Sequence, residues 1–440
     1  MKNDNLIKAA ENLVAFGRKK GADQIEVSIG EGNEFSLDVR QGEVERLVEA
    51  GSKGLSLRLF VAGKMARASS SDLSKETLEK LVENAIERAK LSSADPFAGL
   101  PEKEAITADT DKLKMWDPAI LEMSPEMKIA AAKKTEKICL SEPRVKKCFG
   151  ASYGTYTGET FLVSSNGFTG SYKRTACSSG VYLQAGEEPN LFDEGWGDSS
   201  RILANLESPE EIAAKAIHRV TRLIGAKKVE TQNVPVVVES PMTAGLLSFL
   251  FNCINGTSIY LKQSFLEGKI GEIIGSDLVT VTDDGLIPGA AGTKPFDGEG
   301  VPTRKTVVIE NGILKSYLMD TYSAKKLGMK STGNSSGPNN FYLAAGTSKP
   351  EDIIKSVDKG LFLTGTIGFG MVPTTGDISR GAFGLWIEKG ELAYPVAEIT
   401  ISGNLGQLLK GIEMVGDDVK FKDSITGPTI KVAEMTIGGK

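Results

Sequence analysis

The residues of this chain that could do chemistry include a serine and a lysine three positions apart. Ser323-Ala324-Lys325-Lys326 has the S-x-x-K spacing of serine acyl enzymes, in which a lysine one helical turn away deprotonates the hydroxyl. Ser323 is therefore a candidate nucleophile and Lys326 its candidate base. Those enzymes also need a later K-T-G element, which this sequence lacks. The alternative is a turn of helix whose lysines lie in solvent.

The chain has one histidine, which limits imidazole chemistry. His218 lies in the segment EIAAKAIHRVTRLIG, whose helical period places Ile212, Ala216 and Val220 on an apolar stripe and His218 on the opposite face. No nucleophile lies close to it in sequence. We therefore expect His218 to be a solvent-facing structural residue and not a catalytic base.

The cysteines and the N-terminus bear on the compartment. The four cysteines have no C-x-x-C spacing, which indicates buried free thiols in a reducing compartment. The first residues lack the continuous apolar core of a signal peptide, and no segment is long and apolar enough to span a membrane. A cytoplasmic protein without a membrane partner is expected. The cysteines are Cys139, Cys148, Cys177 and Cys253.

Charge and glycine patterns argue against polyanionic ligands. The 52 basic and 57 acidic residues give a net charge of -5, whereas affinity for nucleic acid depends on clustered lysine and arginine. The glycines of GTIGFGMVPTTG fit neither G-x-G-x-x-G nor G-x-x-x-x-G-K-[ST]. The sequence therefore predicts neither a nucleic-acid partner nor a nucleotide cofactor.

Hydrophobic periodicity predicts an α+β protein of three units. Residues 1–91 form an N-terminal α-β-α unit: an amphipathic helix, strands with period-two alternation, and a second helix with Ser74 at its N-cap. Residues 92–228 form a linker and a mixed middle unit. Residues 229–440 form a β-rich C-terminal domain with hairpins.

Local signals mark the elements of the middle unit. Ser124 followed by proline predicts the start of a helix, and Asn166-Gly167 predicts a hairpin turn. Ser208 and Glu211 form a predicted capping box at the start of the last helix.

Two stretches of the C-terminal domain read as strand, tight turn and strand. One runs from 301 to 334 with its turn at Asn311-Gly312, and the other from 374 to 405 with its turn at Lys389-Gly390. Both closely resemble the C-terminal half of the TldD/PmbA family, and specifically its PmbA branch, also called TldE. The resemblance covers essentially the whole chain. Its most specific blocks are GTSIY, FDGEGVPTRKTVVIENGIL, DTYSAKKLGMKSTGN and TGDISRGAFGLWIEKGELAYPVAEITISGNL.

The resemblance implies a relation to zinc peptidases. The catalytic branch of the family carries HExxxH on a helix of the C-terminal unit and a cysteine near the C-terminus, which together hold the metal. The matching helix here is expected to run from Ser240 to Tyr260; it contains neither the histidines nor the glutamate, and no cysteine follows Val415. Cys253 lies on the matching helix, but its apolar neighbours favour core packing. We therefore expect no zinc and no other cofactor in this chain.

The resemblance further implies a partner that supplies the zinc. This partner is a TldD-like paralogue, and the pair would form a peptidase for unfolded peptides or peptide precursors, with the present chain contributing dimer surface and part of the chamber wall. The alternatives are a homodimeric peptide-binding scaffold without catalysis and a self-sufficient Ser-Lys hydrolase. Although the family has been called a modulator of DNA gyrase, the sequence gives no independent support for DNA contact.

Three residues are candidates for contact with the partner or the peptide: Arg380, Ser379 and Asn334. Arg380 is expected in a turn flanked by Gly376 and Gly381, where a guanidinium could bind a carboxylate or a peptide carbonyl. The alternative is an arginine that holds its own loop through backbone carbonyls.

Overall fold

The computed structural model describes residues 2–439, with side chains from residue 5 onward, and confirms the predicted α+β class. Within that range the α-helices are α1 (Lys2–Lys19), α2 (Lys75–Leu91), α3 (Ala119–Glu122), α4 (Pro125–Leu140), α5 (Pro209–Thr221), α6 (Ser240–Ile254), α7 (Gly256–Tyr260), α8 (Thr321–Leu327), α9 (Pro350–Lys355) and α10 (Leu405–Lys410). A 3-10 turn spans Leu203–Asn205.

The strands of the first half are β1 (Gln24–Arg40), β2 (Glu43–Val61), β3 (Lys64–Ser70), β4 (Val145–Ser164), β5 (Thr169–Glu187) and β6 (Asn190–Ser200). Those of the second half are β7 (Gln232–Val238), β8 (Val281–Asp284), β9 (Lys305–Glu310), β10 (Ile313–Leu314), β11 (Phe341–Leu343), β12 (Lys359–Ile367), β13 (Met371–Val372), β14 (Asp377–Glu388), β15 (Glu391–Asn404), β16 (Ile412–Val415), β17 (Ile425–Thr426) and β18 (Ile430–Gly438).

One antiparallel sheet joins the first two units in the strand order β3-β2-β1-β4-β5-β6. Strand β1 runs unbroken through its central glycines. The segments QIEVSIG and EFSLDVR, each of which has the alternation of a strand, therefore belong to a single strand. Because side chains alternate between the faces of a strand, Ile25, Val27 and Leu37 share one face, and all three are buried. Helices α1 and α2 cover one end of this face and α4 covers the other. The strands before and after the predicted boundary at residues 91 and 92 therefore belong to the same sheet.

The caps predicted from sequence are largely confirmed. The Ser208 hydroxyl accepts from the backbone N–H of Glu211, and the Glu211 carboxylate accepts from the backbone N–H of Ser208. The Ser124 hydroxyl accepts from the backbone N–H of Met127. Ser74 does occupy the N-cap position of α2, but its hydroxyl bonds to the side chains of Asp72 and Thr77 and does not cap the helix.

The C-terminal domain is built around a closed barrel. Strand β12 pairs with β7, β7 with β18, β18 with β15, β15 with β14, and β14 again with β12. Trp386, Val236 and Ile399 are buried in its core. The predicted turns are confirmed, since Lys389-Gly390 and Asn311-Gly312 have positive φ values of 53°, 78°, 47° and 79° in that order. A second sheet has the order β10-β9-β8-β11-β17.

The segment from 92 to 118, predicted as a linker, contacts both halves of the chain. The backbone N–H of Leu100 donates to the side chain of Gln24 at 2.8 Å, while its carbonyl accepts from Lys325 Nζ at 3.3 Å. The segment therefore ties the first sheet to the C-terminal domain. No helix within residues 2–439 combines the length and the apolar character needed to cross a bilayer.

Candidate functional site

Helix α6 occupies the position at which the resemblance implies a zinc-binding helix. Leu247, Leu250 and Cys253 lie on its buried face. Leu247 and Leu250 line an apolar cavity together with Leu408 and Ile430. The helix ends at Asn255, whose backbone is extended and whose side chain accepts from Ser258 N–H at 3.0 Å to start α7. The expectation of one helix from Ser240 to Tyr260 is therefore wrong at Asn255. An Asn that caps the following turn ended the first helix.

The residues around α6 do not fit a zinc ion. Cys253 is fully buried, and burial raises the pKa of its thiol to about 12, which keeps it protonated. A zinc ligand must be a thiolate, a neutral imidazole or a carboxylate. Among residues 2–439 no three histidine, cysteine, aspartate or glutamate side chains come together in a way that could hold a metal.

The candidate pair Ser323 and Lys326 lies on α8, and each side chain bonds to a different carboxylate. The buried Ser323 hydroxyl donates to the Asp320 carboxylate, which also accepts from the Ser323 backbone N–H at 2.7 Å. The Lys326 ammonium lies 3.7 Å from the Asp95 carboxylate. Hydrogen bonding with Tyr322, helped by Asp95, raises the pKa of Lys326. A lysine that serves as a base needs the opposite shift.

Arg380 lies within strand β14, opposite Ile401 of β15, so its expected place in a turn is wrong. Glycines next to an arginine suggested a turn, but here Gly381 continues the strand and pairs with Thr400. The guanidinium donates from Nε and one terminal nitrogen to the Gly368 carbonyl, at 3.1 and 2.8 Å. Arg380 therefore anchors the loop between β12 and β13.

That loop carries an exposed apolar tip next to Ser379. The side chain of Phe369 is fully exposed and that of Ile367 is 63% exposed. Ser379, itself exposed, holds the loop through its backbone N–H, which donates to the Gly370 carbonyl at 2.7 Å. Arg380 and Ser379 are thus brought together under one apolar loop, which we call the Phe369 loop (residues 368–370).

Asn334 lies apart from these two residues, inside the C-terminal domain. Its amide donates to the Asp283 carboxylate at 2.8 Å, and the amide of Asn339 donates to the same oxygen at 2.8 Å. Burial raises the pKa of Asp283, although these hydrogen bonds act in the opposite direction. Asn334 is 7% exposed, so its side chain supports the fold around Asp283 and has little surface for a partner.

A buried ion triad that the sequence did not predict connects the first sheet to the C-terminal domain. Arg58 donates to Glu299 at 2.6 Å and to Glu26, its cross-strand neighbour, at 3.3 Å. Burial raises the pKa of Glu26 to about 7. For Glu299 burial also acts to raise the pKa, but Arg58 and Thr321 outweigh it and the net shift is downward.

A second buried network connects the middle unit to the start of α6. Arg219 on α5 donates to Glu194 at 2.6 Å and to Glu239 at 2.8 Å, and Arg222 donates to Glu239 at 3.1 Å. The neighbouring His218 is exposed, as predicted, and partial burial beside Arg222 lowers its pKa. This network was not predicted from the sequence, because its members lie on a helix, a strand and a helix cap that only the fold brings together.

An open cleft lies above this network, between the first sheet and the barrel. Its walls come from β5 and β6 on one side and from β14 and β15 on the other. Aromatic and charged side chains both line it, and Tyr182 is half exposed, with its ring 5.8 Å from the ring of Phe149. The other aromatic residues that line it are Phe192, Trp196 and Phe383. Such a surface can hold an extended peptide through apolar contacts.

Comparisons with known proteins agree along the whole chain. Family models match in three parts: PmbA/TldA metallopeptidase domain 1 over residues 25–89, the central domain over 118–224 and the C-terminal domain over 231–439. The chain is 34% identical to the metalloprotease PmbA of Escherichia coli O157:H7, over 97% of this chain and 94% of that protein. It is 31% identical to the PmbA homologue of Haemophilus influenzae, over 99% and 96%.

Solved structures have the same fold. A protein from Bacteroides thetaiotaomicron, described as a candidate modulator of DNA gyrase, superposes with a TM-score of 0.94 at 30% identity and full coverage of both chains. TldE from Thermococcus kodakarensis superposes with a TM-score of 0.87 at 25% identity, over 98% of this chain and all of that one.

Proposed function

Because the chain belongs to the PmbA/TldD metallopeptidase family, we propose that it is the non-zinc subunit of a cytoplasmic peptidase complex that processes or degrades peptides. The observation that carries the proposal is the lack of zinc ligands on and around α6, in a chain that otherwise aligns with metalloproteases from end to end. Zinc and its activated water then come from a TldD-like paralogue. Four free, buried thiols support the reducing compartment.

The chain's own contribution is to bind and enclose the peptide. The cleft between the first sheet and the barrel offers aromatic rings to an extended chain, and the two buried ion networks hold its walls in a fixed relation. Walls held in this way keep a bound peptide in a defined orientation toward the reacting groups. The chain acts by positioning, and the paralogue supplies the reaction.

The Phe369 loop supports the association surface. A phenylalanine that is fully exposed, beside Ile367 at 63% and Val372 at 44%, forms an apolar surface that is unfavourable in water. Arg380 and Ser379 hold the loop in place from beneath. In the pair, this loop packs against the paralogue.

The test measures zinc and cleavage for three preparations: this chain alone, the TldD-like paralogue alone, and the co-expressed pair. We expect about one zinc per pair and cleavage of an unstructured peptide by the pair, with the present chain alone free of zinc and inactive. A paralogue in which the glutamate of HExxxH is replaced by glutamine is the matched control, because it keeps the zinc ligands and removes the base.

Two results would contradict the proposal. Stoichiometric zinc in this chain alone would require a site that residues 2–439 do not present. Full activity of the paralogue without this chain would mean that the present chain has a separate role, namely that of a homodimeric peptide-binding scaffold. Analytical ultracentrifugation of the chain alone reports on that alternative.

A further inference from the structure

Arg201 is a buried arginine whose charge has no acidic partner in the part of the chain that the structure describes. It follows β6 and is 6% exposed. One terminal nitrogen donates to the backbone carbonyl of Ala291 and to that of Thr293, the latter at 3.0 Å. The other terminal nitrogen and Nε find no acceptor within residues 2–439. A buried guanidinium is normally paired with a carboxylate, because desolvating an ion is costly.

The surroundings of Arg201 are also electropositive. Burial, together with the nearby Arg174, lowers its pKa to about 10. Burial lowers the pKa of Lys294 as well; Asp283 and Asp297 act in the opposite direction, while Arg174 and Arg201 add to the lowering. Within this basic group, Arg201 is the buried cation that has no carboxylate partner among the described residues.

Arg201 lines an open pocket with two exposed basic residues at its rim. These are Arg174, which packs on the ring of Tyr156 at 5.3 Å, and Lys420. A third basic residue, Lys422, is already paired with Asp198 at 2.8 Å. The pocket also has an apolar wall, which includes Ile287, Pro288, Ala290 and Phe421.

We propose that this pocket binds a carboxylate carried by a peptide, with Arg174 and Lys420 as its direct ligands and Arg201 as the buried charge that attracts it. A carboxylate fits because guanidinium and ammonium groups form charge-assisted hydrogen bonds with it. The apolar wall accommodates the side chain next to the carboxylate. The inference depends on the proposed function only in naming a peptide as the carrier.

The test is fluorescence anisotropy with rhodamine-labelled pentapeptides and this chain alone. Three peptides share one neutral sequence: the first ends in a free carboxylate, the second in an amide, and the third in an amide but with one glutamate. Wild-type protein should bind a carboxylate peptide about tenfold tighter than the neutral amide, a factor equal to about 1.4 kcal/mol of binding free energy. Whether the first or the third peptide binds more tightly tells which kind of carboxylate the pocket takes.

Variants locate the binding. The double variant Arg174→Gln and Lys420→Gln changes only exposed side chains and should abolish the preference for carboxylate. Lys173→Gln is the matched control. Lys173 is exposed and directly precedes Arg174 on β5, so its side chain points to the other face of the strand. This variant should bind the peptides as wild type does. Arg201→Gln should lose the preference too, with circular dichroism confirming its fold.

Equal binding of all three peptides by wild-type protein would overturn the proposal. So would a preference that survives in the double variant. Inorganic phosphate is added as a competitor: if it binds in the millimolar range or tighter while no carboxylate peptide is preferred, the pocket takes a free anion and the proposal fails. Because the paralogue is absent, these results are independent of whether the pair cleaves peptides.

Discussion

Glu26 gives the chain a stability that depends on pH. Its carboxyl lies opposite Arg58 in the sheet and is 7% exposed, and burial raises its pKa from 4.5 to about 7. In the unfolded chain the same carboxyl titrates near 4.5. Between these two values the folded protein retains a proton that the unfolded chain has released. The free energy of unfolding therefore falls as the pH rises from about 4.5 to about 7.

The magnitude follows from the two pKa values. A rise from 4.5 to about 7 corresponds to about 3 kcal/mol of stability that is present below pH 4.5 and lost once the pH passes 7. Glu26→Gln has the shape of the protonated acid and can still accept from Arg58. We therefore expect this variant to match wild type at pH 4.5 and to be more stable than wild type by up to about 3 kcal/mol at pH 8.

Urea unfolding of both proteins at several pH values measures the difference. Other titrating groups cancel when the variant is subtracted from wild type at each pH. Glu45→Gln is the control, because Glu45 is 53% exposed and forms only a long 3.4 Å ion pair with Arg40. A difference between Glu26→Gln and wild type that stays constant from pH 4.5 to 8 would refute the reasoning, since it would mean that Glu26 ionises alike in both states.

Three further predictions concern single side chains. Ser323→Ala should leave cleavage by the reconstituted pair within a few-fold of wild type, whereas loss of a true nucleophile costs about a millionfold in turnover, which a peptide assay separates at once. Arg380→Ala should release the Phe369 loop and weaken binding to the paralogue, measured by calorimetry, at an unchanged melting temperature; a large fall in that temperature would indicate a purely structural role. Arg219→Met should destabilise the fold by about 3–5 kcal/mol in urea unfolding, because Glu194 is then left as a buried unpaired charge, and a neutral effect would contradict this.

Features that depend on a few neighbouring residues were predictable from the sequence. The capping box at Ser208 and the turn at Lys389-Gly390 formed as expected, because the capping hydrogen bonds and the φ angles of the turn depend on residues within four positions. The same local reasoning failed at Arg380. Glycine permits a turn but does not require one, and pairing with β12 and β15 kept the segment extended.

The buried charges could not be predicted because the contacts that bury them are distant in sequence. Glu26 and Arg58 alternate with apolar residues and so have the pattern of a solvent-facing strand surface. Glu299 lies 241 residues after Arg58, and only the packing of the C-terminal domain on this face brings the two together. The one available signal was that Glu26 and Arg58 carry opposite charges on two neighbouring strands.

The interior of the chain combines an apolar core at α6 with buried charges. At α6 the position of the metal helix is filled by Leu247, Leu250 and a protonated Cys253, so this half of the molecule has an apolar core where the family's catalytic branch has its zinc. The buried charged side chains lie in the ion networks that fix the walls of the cleft and at the unpaired Arg201 beside an open pocket. A buried charge without a partner lowers stability unless a ligand or another chain compensates it. Such a charge beside an open pocket supports the proposal that this chain contributes to the family's chemistry by binding a ligand.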